Sequence, residues 1–292
     1  MDAVVARPGE GEIIVDHPAG GIVIKGAHEQ VVVSEVRLSP GTPGPPPHVH
    51  HHHSDAFYVL EGTLTVRLGG EERPLHPGGF VRIPPNVVHT VGNADEGAPV
   101  RALNLHAPSM GFDDYLRAGR DGDQAARERF DQHDPPADGG RPASDARVLD
   151  AGEGEPLRFG PTSAVFKATG DDDAGHFSLS ETTAAPGFPG PVAHVHRTFV
   201  DSFYVLEGTL TVRLGEETLG LDAGTFALVP PGTVHTFSNP GDEPVRFLNL
   251  MAPGGFERYL REVVAAASSA GGPPDQALMA EIASRYDFEP AA

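Results

Sequence analysis

Eight residues of this 292-residue chain have types and spacing suited to chemistry, in two sets of four. The first set is His48-Val49-His50, Asp55 and His89; the second is His194-Val195-His196, Asp201 and His235. Two histidines at i and i+2 on an extended strand point to the same face. A third histidine from a later strand can meet them in a barrel interior. Three neutral imidazoles and a carboxylate suit a divalent transition metal (Fe, Mn, Ni, Co, Cu or Zn) with coordination positions left for substrate or oxygen. A His-rich loop or hydrogen-bonded core histidines would account for one such set. Recurrence of all four residues at one offset weakens that reading. One metal per copy is therefore expected, with His48, His50, Asp55, His89, His194, His196, Asp201 and His235 as ligand candidates.

That offset organises the whole chain. The run FYVLEGTLTVRLG occurs at Phe57–Gly69 and again at Phe203–Gly215. Pro40-Gly41 matches Pro186-Gly187, and Asn104-Leu105 matches Asn249-Leu250. The chain is thus two tandem copies of about one domain's length. The stretch PPADGGRPASD from Pro135 to Asp145 lacks apolar periodicity and reads as a connection. The expected division is 1–134, a linker at 135–146, and 147–292. Within each copy, short β-rich runs alternate with Gly/Pro turns, and Leu64-Thr65-Val66-Arg67-Leu68 alternates apolar with polar. Such patterns indicate an all-β sandwich or barrel. Each copy ends in helical pattern, Gly111–Arg117 with Gln124–His133 and Gly255–Ala267 with Asp275–Phe288. The last segments share an Asp-Gln-Ala start and an Arg-aromatic-Asp end. These tails are expected to pack outside the barrel or at a subunit contact.

Composition closes off other chemistries. Cysteine is absent, which excludes disulfides, thiolate metal sites, iron–sulfur clusters and thiol nucleophiles. With 41 Asp and Glu against 21 Lys and Arg, the formal charge of -20 repels phosphate backbones and anionic membranes. No apolar run approaches the roughly 18 residues of a membrane helix. The polar stretch Met1–Glu12 has no signal-peptide core, so a cytoplasmic protein is expected.

The histidine sets sit inside longer patterns that resemble the two motifs of the cupin superfamily. The first reads Gly41, His48-x-His50, Asp55, Gly62, and again Gly187, His194-x-His196, Asp201, Gly208. The second reads Gly224, Pro230, Gly232, His235, Asn239 in the second copy, and Gly78, Pro84, His89, Asn93 in the first, where Asn86 replaces the inner glycine. Asn tolerates left-handed backbone better than most residues, so the turn should survive. The resemblance implies a bicupin: two jelly-roll (double-stranded β-helix) barrels, each with a metal in its mouth and short C-terminal helices. It is similar to the quercetin 2,3-dioxygenase-like bicupins, which cleave flavonol-type enolates with dioxygen. It therefore implies an oxidoreductase, a metal-dependent dioxygenase acting on a small enol, flavonol or diketone-like substrate, with Asp55 or Asp201 as catalytic base. Two other readings stay open: a non-oxidative isomerase, cyclase or lyase on a keto or sugar-like molecule, and a non-catalytic binding protein. Cupins often pair barrels edge to edge, so a homodimer is an open assembly. The motif position usually held by Glu is Asp in both copies. A shorter carboxylate can ligate or stand off the metal as a base.

Several further residues stand out. His51, His52 and His53 follow the first pair and read as loop residues, with His52 sharing the parity of His48 and His50. His106, aligned with Met251 on a late strand, is a pocket acid/base or an ordinary hydrogen-bonded histidine. The two lysines of the chain, Lys25 and Lys167, are repeat-equivalent. They read as surface ion pairs with the tails or as cations facing an anionic ligand. Phe57, Phe80, Phe203, Phe226 and Phe237 are candidate walls for an aromatic substrate.

Overall fold

The computed structural model describes residues 2–123, 125–172, 175–272 and 274–291. They form two compact units of all-β architecture. One comprises residues 10–153, the other residues 1–9 and 154–292.

In the first unit a seven-stranded antiparallel sheet runs in the order Arg147–Leu149, Phe80–Ile83, Ser54–Glu61, Val100–Ala107, Val31–Leu38, Gly20–His28, Glu12–His17. A three-stranded sheet, Glu71–Leu75, Leu64–Leu68 and His89–Gly92, lies against it. The alternation noted in Leu64–Leu68 explains the contact. Leu64, Val66 and Leu68 are buried and join Phe57, Val59, Val81 and Ile83 of the large sheet in one core. The second unit repeats the plan, its large sheet being Val4–Ala6, Phe226–Val229, Val200–Glu207, Val245–Ala252, Ser178–Ala184, Thr162–Ala168, Glu155–Phe159. Its small sheet has five strands, including His194–Val195 and Glu289–Pro290. Its core joins Phe203 and Val205 to Leu210, Val212 and Leu221.

The division differs from the expected linker at 135–146. Residues 135–153 belong to the first unit, because Arg147–Leu149 adds an edge strand beside Phe80–Ile83 and Val87 bridges Arg141. The first residues belong to the second unit, because Val4–Ala6 pairs with Phe226–Val229. A turn-rich composition marks irregular backbone but not which sheet edge that backbone satisfies.

The lysines are not on the surface. Lys25 and Lys167 are 2% and 0% exposed. Each sits where strand register shifts by one residue, between Ile24 and Gly26 and between Phe166 and Ala168. A β-bulge re-aims a side chain. Lys25 Nζ donates to the Glu10 carbonyl at 2.7 Å, and Lys167 Nζ lies 3.6 Å from Glu181 Oε2. Burial depresses the Lys25 pKa, against the attraction of Glu35 and Glu10. Both lysines hold outer strands together and neither lines a cavity at the histidine sets. No helix among the described residues is long and apolar enough to cross a membrane.

Candidate metal centre

Two close backbone approaches bring the first histidine pair to the third. A Cβ on Gly44 would fall 1.6 Å from the Val91 carbonyl oxygen, and one on Gly190 would fall 1.6 Å from that of Phe237. Both glycines have φ in the left-handed region, +79° and +75°. The loop before each His-x-His can therefore lie directly on the late strand. The result is antiparallel pairing of His48 with His89 and of His194 with His235, with ring centroids 4.3 and 4.4 Å apart. On the other side, Asn86 adopts φ +69° where Gly232 has +85°, and each donates its N–H at 2.7 Å to the carbonyl of His50 or His196. The replacement of glycine by Asn86 leaves the turn intact, as expected.

The ring orientations follow from hydrogen bonds. Nδ1 of His48, His89 and His50 faces the carbonyl oxygens of Pro46, Val87 and Asp131 at 2.9, 2.9 and 2.6 Å. In the second copy Nδ1 of His194 and His235 faces Val192 and Thr233 at 2.9 and 3.0 Å, and His196 faces Asp287. A carbonyl can only accept, so each Nδ1 carries a proton and a neutral ring presents its Nε2 lone pair, while Nε2 of His235 also meets the Asp201 carboxylate. Nε2 of His50, His89 and His196 is buried with no hydrogen-bond partner among the described residues. An unsatisfied buried polar atom costs about 1–3 kcal/mol. Two such atoms in the first copy and one in the second, each converging with its neighbours, are lone pairs that a cation would take up.

Ligand atoms of His48, His50, Asp55 and His89 all lie within 4.8 Å of one another. In the second copy the same holds for His194, His196 and His235 alone. Asp201 approaches one of them, with Oδ2 3.2 Å from His235 Nε2. The corresponding Asp55 Oδ2 lies 3.3 Å from His89 Nε2 and 4.0 Å from His50 Nε2. The equal grouping expected of the two carboxylates is thus seen only in the first copy. Both carboxylates are held by the asparagine of the Asn-Leu pair that recurs between the copies. Asn104 Nδ2 donates to Asp55 Oδ1 at 2.6 Å, and Asn249 Nδ2 to Asp201 Oδ1 at 2.5 Å. The recurring Asn-Leu on the late strand was its signal.

Burial sets the electrostatics. Desolvation, then the neighbouring His89 or His235, pushes the pKa of His48 and of His194 down to about 4. Desolvation lowers His196 also, and lowers His50 well below the usual histidine value. His235 runs the other way: burial opposes its charge, but the hydrogen bond and charge of Asp201 outweigh it and raise the pKa. His48, His50, His194 and His196, all shifted downward, are thus suited to act as neutral ligands.

The tails do not merely pack outside. Phe112, Tyr115 and Leu116 of the helix Phe112–Arg120 line a cavity of about 280 Å³ over the first histidine set. Phe256, Tyr259 and Leu260, their repeat equivalents, line one of about 250 Å³ over the second, together with Met279 and Phe288. Equivalent ion pairs, Arg117 with Glu12 and Arg261 with Glu155, tie each helix to an outer strand. Of the five candidate wall residues, Phe57 and Phe237 line these cavities. Phe80, Phe203 and Phe226 are fully buried elsewhere, Phe203 in the core of the second unit behind Phe237.

The first cavity has a polar wall that the second lacks. His53 is 1% exposed rather than a loop residue, while His51 and His52 are exposed. His53 Nδ1 lies 2.8 Å from Asp131 Oδ2, and its Nε2 lies 2.8 Å from His106 Nδ1. His106 Nε2 lies 3.1 Å from Asn104 Oδ1 and 3.4 Å from Asp55 Oδ1, with its ring stacked on Phe112. Phe199 and Met251 occupy the equivalent places in the second copy, so that wall is apolar.

Comparison with known proteins bears on both copies. A family described as "Cupin domain" matches residues 34–106 and 180–251. Quercetin 2,3-dioxygenase of Bacillus subtilis is 25% identical over 284 residues, covering 87% of this chain and 84% of that protein. An oxalate decarboxylase from Bacillus subtilis, studied for its Mn(II) centers, superposes with TM-score 0.57 at 13% identity, over 100% of this chain and 90% of that one. Vicilin from hazelnut (Corylus avellana) does so with TM-score 0.58 at 13% identity, over 98% and 99%.

Proposed function

Since the chain belongs to the cupin family, with one cupin domain in each half, we propose that it is a metal-dependent bicupin enzyme, a dioxygenase acting on a small enol, flavonol or diketone-like substrate. The observation that carries this reading is the convergence of three histidine ligand atoms beneath each cavity, with Nε2 of His50, His89 and His196 buried and without a hydrogen-bond partner among the described residues. His48, His50 and His89, with Asp55, would hold a divalent transition metal in the first copy. His194, His196 and His235 would hold one in the second, with Asp201 beside them. Such a metal supplies a Lewis acid that lowers the pKa of a bound hydroxyl or enol and, where redox-active, a partner for dioxygen.

The chain's own residues do the rest. The backbone carbonyls of Pro46, Val87, Asp131 and their equivalents keep the protons on Nδ1 and the lone pairs inward. Asn104 and Asn249 engage one oxygen of each aspartate, leaving Oδ2 directed at the histidines. Oδ2 is then the atom that takes a hydroxyl proton from substrate as general base. Phe112, Tyr115, Phe256 and Tyr259 cover the cavities, orient an unsaturated substrate edge-on or stacked, and exclude water. The chemistry of the quercetin dioxygenase relative and the Mn(II) of the oxalate decarboxylase support a metal enzyme of this kind.

The test is metal identification followed by oxygen uptake against flavonols, diketones and catechols. Oxygen consumption dependent on metal supports the reading. Turnover that proceeds anaerobically would replace it with a non-oxidative cupin enzyme. No turnover and no loss of fold on metal removal would leave a binding protein.

A further inference from the structure

Each tail ends by returning to the histidine set, through the Arg-aromatic-Asp sequence that recurs as Arg129-Phe130-Asp131 and Arg285-Tyr286-Asp287. The contacts are the same in both copies. The backbone carbonyl of Asp131 accepts from His50 Nδ1, and that of Asp287 from His196 Nδ1. The two carboxylate oxygens accept from the next two backbone N–H groups: His51 and His52 at 2.8 Å for Asp131, Arg197 and Thr198 at 2.7 Å for Asp287. The aspartate thus grips the backbone on the far side of the very histidine whose proton it fixes. Thr198 Oγ1 donates a third bond to Asp287, at 2.6 Å, and His53 Nδ1 plays that part for Asp131. One residue further on, Phe288 stacks on His194, ring centroids 4.3 Å apart and 20° from parallel. In the second copy the chain then pairs as a strand, Val195 with Glu289. In the first, Val49 and His133 bridge at the same place.

The other two histidines of each set take their carbonyls from two residues upstream in their own loops. Among these six, the second histidine of each His-x-His is the one whose Nδ1 carbonyl comes from a distant segment, 81 residues away for His50 and 91 for His196. We infer that Asp131 and Asp287 are positioning residues for the metal sites, and that docking of each tail and metal occupancy of its own copy are thermodynamically coupled. Loss of the grip frees the His50 or His196 ring to rotate and to exchange tautomer, which removes one pre-oriented donor. Linkage makes the effect reciprocal: a metal that favours the oriented ring must also favour the docked tail. The same helices line the cavities, so a loaded copy also has its cavity covered. This inference rests on the metal reading of the histidine sets.

The experiment uses the full chain with His48→Ala and His89→Ala, which confines metal to the second copy, and Co(II) as the probe. Co(II) affinity is measured by calorimetric titration with and without Asp287→Ala. Backbone hydrogen exchange of residues 284–290 is followed with and without Co(II). Asp287→Asn, which keeps the shape and part of the grip, is a second variant. Exchange in the strands Val200–Glu207 and Val245–Ala252 reports whether the barrel stays folded. The expected result is affinity weaker by roughly 10–100-fold for Asp287→Ala, and by less for Asp287→Asn, with barrel strands still protected. Co(II) should also slow exchange of the tail in the parent. Unchanged affinity in Asp287→Ala, or tail exchange indifferent to Co(II), overturns the coupling. A parent that takes up no Co(II) overturns the metal reading itself, and the coupling with it.

Discussion

Asn104 Nδ2 and Asp55 Oδ1 stand 2.6 Å apart, and Asn249 and Asp201 repeat the pair at 2.5 Å. The amide donates to one carboxylate oxygen, which restrains the aspartate and leaves Oδ2 towards His89 or His235. Replacing Asn249 by Leu removes that donor while keeping the volume. Metal affinity of the second copy should fall roughly 10–100-fold, the size usual for losing a hydrogen bond in the shell behind a metal's ligands. Titration of a chain carrying His48→Ala and His89→Ala checks this, and an unchanged affinity would show that Asn249 serves only the strand.

Removing the third histidine separates the copies. His89→Ala and His235→Ala should each lose about one metal per chain while far-UV circular dichroism stays that of the parent. The barrel cores contain Phe57, Val59, Leu210 and Phe247 but neither histidine, so the sheets do not need them. Elemental analysis of untagged protein reads the result.

Acid should destabilise the metal-free protein over a definite window. His48 and His194 titrate near 4 in the fold against about 6.5 when unfolded. Between those values the unfolded chain binds more protons, so stability is present above pH ~6.5 and is lost as pH falls towards 4. Each such histidine contributes on the order of 3 kcal/mol to the loss. His235, raised by Asp201, contributes in the opposite sense and offsets part of it. Urea midpoints of metal-free protein between pH 7 and pH 4 should therefore decline. A flat profile would refute the burial of neutral imidazoles.

The polar wall of the first cavity invites a paired substitution. His106→Met alone leaves His53 Nε2 buried without its partner, which should cost about 1–3 kcal/mol. His53→Phe with His106→Met copies the second cavity, where Phe199 and Met251 stand, and removes both ends of that hydrogen bond. The double variant should be less destabilised than His106→Met. Denaturant unfolding of the two variants decides it, and a double variant at least as destabilised as His106→Met would contradict a hydrogen-bonded pair.

The amino-acid sequence by itself determined the duplication, the all-β class, and the two sets of three histidines with an aspartate. Those features are local or repeated: alternation on a strand, the i, i+2 spacing of His-x-His, and a common offset between copies. The left-handed turn at Asn86 was legible for the same reason, since backbone preference belongs to the residue. What only the tertiary structure decided are relations between segments far apart in the chain. Asp131 returns to His50 across 81 residues, and Asn104 reaches Asp55 across 49. His53 looked like one more histidine of a surface run, but its side chain turns inward to a partner carried by a later strand. Lys25 and Lys167 looked exposed because their type is, yet a one-residue bulge aims each into the sheet. Strand register and the path of the tails settle such contacts, and no short stretch of sequence carries either.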